Sequence, residues 1–163
     1  MTQKLAPGFV DDVVVYFAAN LPAQLNLEDT LWGDGIVLDD ITQIEKMDPD
    51  IIERMMTPPY LYVFVDSAKI FDWRDGYSML ETQLVLWCVL QDTDPSTLRL
   101  KQGRYANALW KLLVAYSGAQ GKYNMAAPEG DFMADFEYGM MLTKGTMAMN
   151  DVRIESRWTV TER

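Results

Sequence analysis

The segment YSMLETQLVLWCVLQD, residues 77–92, constrains the fold of this chain more than any other part of the sequence. Apolar and polar residues alternate in its first half, and every position from Val85 to Leu90 is apolar. Alternation is typical of a strand with one buried face, whereas a continuous apolar run indicates a strand covered on both faces. The pattern therefore predicts a long strand inside a sheet rather than at its edge.

A helix is predicted directly after this strand, and we expect it to pack across the strand. Asp94 is in the N-cap position, Pro95 fits the first helical position, and Gly118 ends the helical pattern. The predicted buried stripe of this helix consists of Leu98, Tyr105, Leu109, Leu112 and Tyr116.

An earlier amphipathic helix is predicted from about Phe9 to Asn20. Asp11 and Asp12 fall in its expected first turn, where the helix dipole favours carboxylates. Pro22 is expected to limit its continuation, because proline lacks the backbone N–H that a helix needs. Its apolar stripe consists of Phe9, Val13 and Phe17, with Val10 and Val14 beside them.

Short elements are predicted between residues 30 and 59. WGDGIVLDD indicates a turn and a short strand, and DITQIEKM a helical turn. DPDIIERMM indicates a short helix with Asp48 as its cap and Pro49 in its first position. The TPP at 57–59 is expected to end that helix.

The remaining strands are predicted from β-branched and aromatic residues. YLYVFVD, 60–66, directs Leu61, Val63 and Val65 to one face, and KIFDW after it extends or bends the strand before a turn at RDG, 74–76. The loop 117–131 precedes two final strands, near 134–143 and 147–162, with Lys144-Gly145 and Asn150-Asp151 as candidate turns. In the last strand the buried face is predicted to consist of Val152, Ile154, Ser156, Trp158 and Val160.

This order of elements predicts one α+β domain over residues 1–163. A mainly antiparallel sheet of about four or more strands, with helices packed on one face, satisfies the pattern.

The charge of the chain is distributed unevenly. The net charge is −10; residues 1–90 contain 15 Asp/Glu and 5 Lys/Arg, whereas residues 91–163 contain 9 of each. Proteins that grip nucleic acid use cations to neutralise phosphates, so this composition argues against such binding. The acidic residues fit either a solvated surface or a wall that repels DNA.

The sequence also indicates the cellular compartment in which the protein is expected. No run of about 18 apolar residues is present, and MTQKLAPGFVDD lacks the apolar segment of a signal peptide. Cys88 is the single cysteine, which agrees with a reducing compartment. We therefore expect a soluble protein made in the cytoplasm.

Catalytic motifs are weak or missing in the sequence, so we expect a protein that is not an enzyme and needs no metal or cofactor. Histidine is absent, which excludes Ser-His and Cys-His pairs, and no glycine-rich phosphate loop is present. Cys88 is in the middle of an apolar strand, where a structural thiol is expected. One alternative stays open, a metal-dependent hydrolase or nuclease built from Asp66, Asp72, Asp75 and Glu81, with Lys69 and Arg74 near the phosphate.

Methionine is concentrated at the end of the chain, where six of the 11 methionines fall in the final loop and hairpin. Methionine adapts to surfaces that must repack against a partner, although it also fills gaps in a core. The predicted partner-contact residues are Tyr123, Met125, Phe132, Met133, Met140, Met141, Met147 and Met149.

Four stretches together resemble the tail-terminator proteins of long-tailed bacteriophages. They are the helix FVDDVVVYFAAN, the strand PYLYVFVD, the strand LETQLVLWCVL with its helix DPSTLRLKQGRYANALWKLL, and the last strand VRIESRWTVTE. The similarity lies in element order and pattern over most of the chain.

The resemblance implies a structural virion protein at the head–tail junction, assembled in the host cytoplasm and without catalytic residues. It implies a ring, usually a homo-hexamer, that caps the tail tube and meets a head-completion or connector protein. DNA would pass through the lumen without specific binding. We expect acidic residues of positions 1–90 to line that lumen, and the loop and methionine hairpin to contact neighbouring subunits or the tube. The alternatives are another neck or head-completion protein, a monomeric α+β binding or immunity-type module, and the hydrolase.

Overall fold

The computed structural model describes residues 7–46, 57–74, 77–119, 123–125 and 133–162. Within these residues, two helices pack against one seven-stranded sheet. The helices are α1 (Pro7–Trp32) and α2 (Pro95–Ala119). The strands are β1 (Gln43–Lys46), β2 (Tyr60–Arg74), β3 (Tyr77–Asp92), β4 (Tyr123–Met125), β5 (Ala134–Tyr138), β6 (Leu142–Lys144) and β7 (Met147–Glu162).

The strands follow the order β1-β2-β3-β7-β4, and β5 and β6 also pair with β7. All pairs are antiparallel except β1 with β2. Leu86 of β3 lies opposite Val63 of β2 and Ile154 of β7, so β3 is an interior strand, as its apolar run predicted. The predicted α+β class, with a mainly antiparallel sheet, is confirmed.

The core lies between the helices and one face of the sheet. α1 contacts β1 and β2, α2 contacts β3, β7 and β4, and the two helices contact each other. The predicted core-facing set of β7 is buried, and Leu61 and Val63 of β2 are buried on the same face. The hydrophobic β3 residues on this face are Leu80, Leu84, Leu86, Cys88 and Leu90, and Thr82 is buried among them.

Helix α1 is longer than the sequence predicted, and Pro22 lies inside it. A proline removes one backbone donor, but burial of Leu21 and Leu25 on both sides of Pro22 holds the helix together. Because the helix begins at Pro7, Asp11 and Asp12 lie beyond its first turn. Asp12 accepts a hydrogen bond from the Tyr123 hydroxyl at 2.6 Å.

Helix α2 confirms its prediction closely. Asp94 caps it, since its carboxylate accepts hydrogen bonds from the backbone N–H of Thr97 at 3.0 Å and of Ser96 at 3.2 Å. The five residues of the predicted stripe are all buried.

The segment before β2 differs from the prediction. Residues 43–46, predicted as part of a helical turn, form β1, because pairing with β2 satisfies their backbone and Ile44 packs against the core. The predicted helix at 48–56 lies outside the described residues, as do positions 75–76 of the turn predicted at 74–76. β2 runs on to Arg74, with register shifts between Val65 and Ser67 and between Ile70 and Asp72.

The end of the chain contains more strands than predicted. Part of the expected loop 117–131 forms β4, which pairs with Trp158–Val160 of β7. The predicted strand 134–143 divides into β5 and β6, with a changed register against β7. The turn is at Gly145, whose φ is +63°, a conformation suited to glycine, while Asn150-Asp151 lies inside β7.

Neither described helix combines the length and the apolar character needed to cross a membrane.

Candidate protein interaction surface

Neither described helix covers the second face of the sheet, which we call the open face. Pairing in register places Tyr62, Trp87 and Arg153 in one row across β2, β3 and β7, and Phe64, Val85 and Glu155 in the next. The sequence alternation that buries one set of side chains under the helices directs this second set outward.

Aromatic side chains give the open face an apolar centre. The ring centroids of Tyr60 and Tyr62 are 5.2 Å apart, and those of Tyr62 and Trp87 are 5.8 Å apart. Val85 is fully buried on this face. The guanidinium of Arg153 lies 6.0 Å from the centroid of the Phe64 ring, a cation–π arrangement.

Polar contacts fix the β7 side of this face. The indole Nε1 of Trp87 donates a hydrogen bond to Asp151 Oδ2 at 2.6 Å, and Arg153 Nη2 lies 2.7 Å from Glu155 Oε1. The segment after β5 approaches closely, since an added Cβ on Gly139 would lie 1.6 Å from Asp151 Oδ1. Glycine at 139 therefore allows this segment to reach the open face.

A groove of about 550 Å³ lies where these contacts meet. Its lining combines apolar surface with two carboxylates and one guanidinium, a composition suited to binding a mixed apolar and charged group. The groove is lined by Phe64, Trp87, Glu137, Tyr138, Gly139, Met140, Asp151 and Arg153.

The segment of β5 and β6 beside the groove exposes apolar side chains to solvent. Met140 is 85% exposed, Leu142 69% and Tyr138 55%. Phe136 is 39% exposed, although its ring packs edge-on against Trp110 of α2 at 5.6 Å. Adjacent exposed apolar side chains of this kind mark surfaces that contact other proteins.

The predicted partner-contact residues fall in different environments. Met133 and Met140 are exposed, whereas Met125, Met141, Met147 and Met149 are half-buried. Tyr123 is buried, with its ring 4.7 Å from that of Phe9, so it belongs to the core rather than to a contact surface. Phe132 lies outside the described residues.

Part of the acidic excess of the first 90 residues is paired within the chain, mostly with cations of α2. Asp39 contacts Lys101 at 3.0 Å, and Asp34 contacts Arg104. The carboxylate of the fully buried Glu28 contacts Lys111 at 2.5 Å. The exposed Asp40, Asp66 and Glu81 add charge to the surface.

The residues proposed for metal-dependent hydrolysis are not gathered into a cluster in the described part of the chain. Asp66 and Glu81 are exposed, and Glu81 pairs in register with Lys69. The side chain of Asp72 and all of Asp75 lie outside the described set. Within that set, no three Asp, Glu, Cys or His side chains are placed to hold a metal ion.

Cys88 is buried on the core face of β3, as predicted for a structural thiol. Burial raises the pKa of the Cys88 thiol far above its ordinary value, and the charge of Asp151 adds to this effect. A thiol in this state is a poor nucleophile.

Sequence reasoning missed the contribution of β5 and of Gly139 to this surface. The alternation in ADFEY, with acidic residues at 135 and 137 and aromatic residues at 136 and 138, is a visible signal of a strand with one acidic and one apolar side. The proximity of Gly139 to Asp151 depends on tertiary packing and has no local signal.

No protein-family model matches this chain, and the comparison with curated proteins finds no relative.

Proposed function

We propose that this chain is a structural protein that assembles into a ring, usually of six copies in the family it resembles, at the head–tail junction of a long-tailed phage. In this role it caps the tail tube, joins it to a head-completion or connector protein, and lets DNA pass without binding it specifically.

The observation that carries the proposal is the exposed apolar surface of β5 and β6 beside the aromatic open face. Met140, Leu142 and Tyr138 are more than half exposed, and Met140 and Tyr138 also line the groove next to Trp87. Monomeric proteins rarely expose large contiguous apolar patches, whereas an assembly protein buries such a surface against a neighbour.

The internal ion pairs change the expected role of the acidic residues. Because Glu28, Asp34 and Asp39 are paired with cations of α2, they stabilise the helix layer and contribute less to a DNA-repelling wall than their number implies. We assign the lumen-facing role to exposed acidic residues outside these three ion pairs, such as Asp40, Asp66 and Glu81.

A map of purified virions that contain this chain tests the proposal directly. We expect a closed ring at the junction, with the surface of β5 and β6 buried between subunits or against the tube. A closed ring repeats one heterologous interface, and a specific joint buries roughly 1,200–2,000 Å². A virion without this chain at the junction or along the tail would contradict the proposed function.

A surface variant gives a second test. The double substitution Met140→Glu and Leu142→Glu places charge on the exposed apolar surface and should prevent incorporation into particles. Val15→Glu is the matched control, because Val15 is an equally accessible apolar residue on α1, away from this segment. Equal incorporation of both variants would show that the surface of β5 and β6 makes no assembly contact.

The groove favours a second candidate function, a monomeric α+β binding module. Its mixed lining of aromatic rings, Asp151 and Arg153 is typical of a pocket for a small polar ligand. Sedimentation or light scattering over a wide concentration range, with and without particle proteins, separates the two functions. A chain that stays monomeric in both conditions fits the module and not the ring.

A further inference from the structure

The outer edge of β5 consists of backbone groups that no described strand pairs. β5 pairs with β7 alone, on its inner edge. At one end of this pairing Gly139 N–H donates to the carbonyl of Asp151 at 2.9 Å. At the other end Arg157 N–H donates to the carbonyl of Met133 at 3.2 Å.

These two hydrogen bonds determine which backbone groups point outward. Hydrogen-bonded and non-hydrogen-bonded positions alternate along an antiparallel strand. Positions 133, 135, 137 and 139 therefore direct their backbone groups toward β7. Ala134, Phe136 and Tyr138 direct three N–H and three C=O groups away from the sheet, enough to hold a five-residue strand.

The two sides of this edge have different chemistry. Asp135 and Glu137 pair in register with Glu155 and Arg153, so they lie on the open face, and both are exposed. Phe136 and Tyr138 lie on the helix side of the edge. A strand that is acidic on one side and apolar on the other is complementary to a strand with cations on one side and apolar residues on the other.

The neighbouring charges make the acidic side selective for cations. Asp135 lies opposite the carboxylate of Glu155, while Glu137 lies opposite Arg153, which also contacts Glu155. Arg157 follows Glu155 on the same face of β7, so three carboxylates lie beside two guanidiniums at this place, and the two on β5, Asp135 and Glu137, are exposed. An incoming Lys or Arg relieves the repulsion, and an incoming Asp or Glu adds to it.

Among the described strands, neither β5 nor β1 of a second copy of this chain supplies the required strand. Two β5 strands related by a two-fold axis at Phe136 can form every outward hydrogen bond. This pairing, however, places Asp135 directly opposite Glu137 of the second copy, twice. Like charges directly opposite each other destabilise a strand pair. The other edge of the sheet, β1, has Gln43 and Glu45 on its open-face side and offers no cation there.

We infer that the outer edge of β5 binds an extended segment of a different protein, in which two cationic residues alternate with three apolar residues. The segment adds an antiparallel strand to the sheet, hydrogen-bonded to Ala134, Phe136 and Tyr138. Its two cations face Asp135 and Glu137, and its central apolar residue lies beside Phe136. This is strand addition at a free edge, with the backbone giving affinity and the charges giving specificity. The inference specifies the class of partner for the proposed assembly role. The binding itself does not depend on that role; only the location of the partner in a virion rests on it.

A pair of synthetic peptides tests the inference. The blocked peptide Thr-Val-Lys-Val-Lys-Val-Thr carries the required pattern, and Thr-Val-Glu-Val-Glu-Val-Thr is its matched control. In a nuclear magnetic resonance titration to about 1 mM peptide, the lysine peptide should bind about tenfold more tightly and protect the amides of Phe136 and Tyr138 from exchange. No binding of the lysine peptide, equal binding of both, or protection at other amides would overturn the inference.

A charge exchange on the protein provides an independent test. In the double variant Asp135→Lys and Glu137→Lys, the preference should reverse toward the glutamate peptide. Both positions are exposed, so the fold should tolerate the changes, and circular dichroism verifies this. An unchanged preference in a folded variant would show that these two side chains do not select the partner.

The single variant Asp135→Lys tests the barrier to self-pairing. The new lysine faces Glu137 of a second copy, which converts two repulsive pairs into two attractive ones. Light scattering should show a doubling of mass relative to the wild-type particle, whatever its order, and the double lysine variant should show none. A doubling of mass in both variants, or in neither, would mean that charge does not control self-pairing at the edge of β5. Failure of the ring proposal would leave each of these measurements interpretable, because none requires a ring.

Discussion

The indole N–H of Trp87 and the carboxylate of Asp151 form a 2.6 Å hydrogen bond that links β3 to β7 on the open face of the sheet. Asp151 in turn lies directly against Gly139, in the segment that follows β5. The central strand pair and the exposed segment of β5 and β6 are thus coupled through one carboxylate. The shape of the groove depends on this arrangement.

Substitution of Trp87 should separate its hydrogen bond from its packing. Trp87→Phe removes the N–H donor and should lower the free energy of unfolding by about 1–2 kcal/mol. Trp87→Ala also removes the ring next to Tyr62 and should lower the free energy of unfolding by about 2–4 kcal/mol. This loss is smaller than the largest losses found when a fully buried tryptophan is replaced by alanine. Urea denaturation measures both. Trp32→Phe, at an exposed position, is the control; equal losses at 32 and 87 would contradict the assigned contacts.

Substitution of Gly139 should destabilise the protein through Asp151. A Cβ at 139 forces the Asp151 carboxylate away and breaks its bond to Trp87, so Gly139→Ala should cost about 1–3 kcal/mol. In an Asp151→Ala background the same change should cost less than about 0.5 kcal/mol, because the clash is gone. A double-mutant cycle measured by urea denaturation gives the coupling. Additive changes in the free energy of unfolding would show that residues 139 and 151 do not contact each other.

Glu28 should make stability depend on pH in the acid range. Burial raises the pKa of Glu28, but hydrogen bonds from Lys111, Asn107 and Gln24 outweigh it and hold this pKa below its ordinary value. A carboxyl with a lowered folded pKa stabilises the protein above its unfolded pKa, about 4.3 for glutamate, and loses this contribution as pH falls through the folded value.

We therefore expect Glu28→Gln to have a lower free energy of unfolding than wild type at pH 7. This difference should become smaller as the pH falls below about 5. Urea denaturation at a series of pH values measures this difference. Lys111→Met should reduce the same pH-dependent difference, since it removes the ion pair while Asn107 still donates at 2.8 Å. Parallel stability curves for wild type and Glu28→Gln would rule out this contribution.

Cys88 should react with thiol reagents only when the protein opens. The side chain is buried in the core of β3, and its raised pKa keeps it in the thiol form. Modification by a disulfide reagent at neutral pH should therefore be slow in the native state and should accelerate with urea. A rapid reaction that is insensitive to urea would show that the reagent reaches Cys88 without unfolding.

Local sequence patterns correctly predicted those elements in which the spacing of the apolar residues matches the buried face. The cap and stripe of α2 and the alternation of β7 each predicted the observed element, because one-sided burial requires a matching repeat in the sequence. The continuous apolar run of β3 predicted its interior position in the sheet. From these elements the α+β class followed.

Tertiary structure decided the features for which the local signal was weak or pointed elsewhere. Pro22 predicted an end to α1, but the burial of Leu21 and Leu25 against the sheet outweighs one lost hydrogen bond. Residues 43–46 became a strand because β2 offered an edge to pair with. The sequence by itself determined which side chains share a face. Which faces the described helices cover, and which edge no described strand pairs, depended on long-range strand pairing, because no residue in β5 or at Gly139 specifies a neighbour that is far away in the chain.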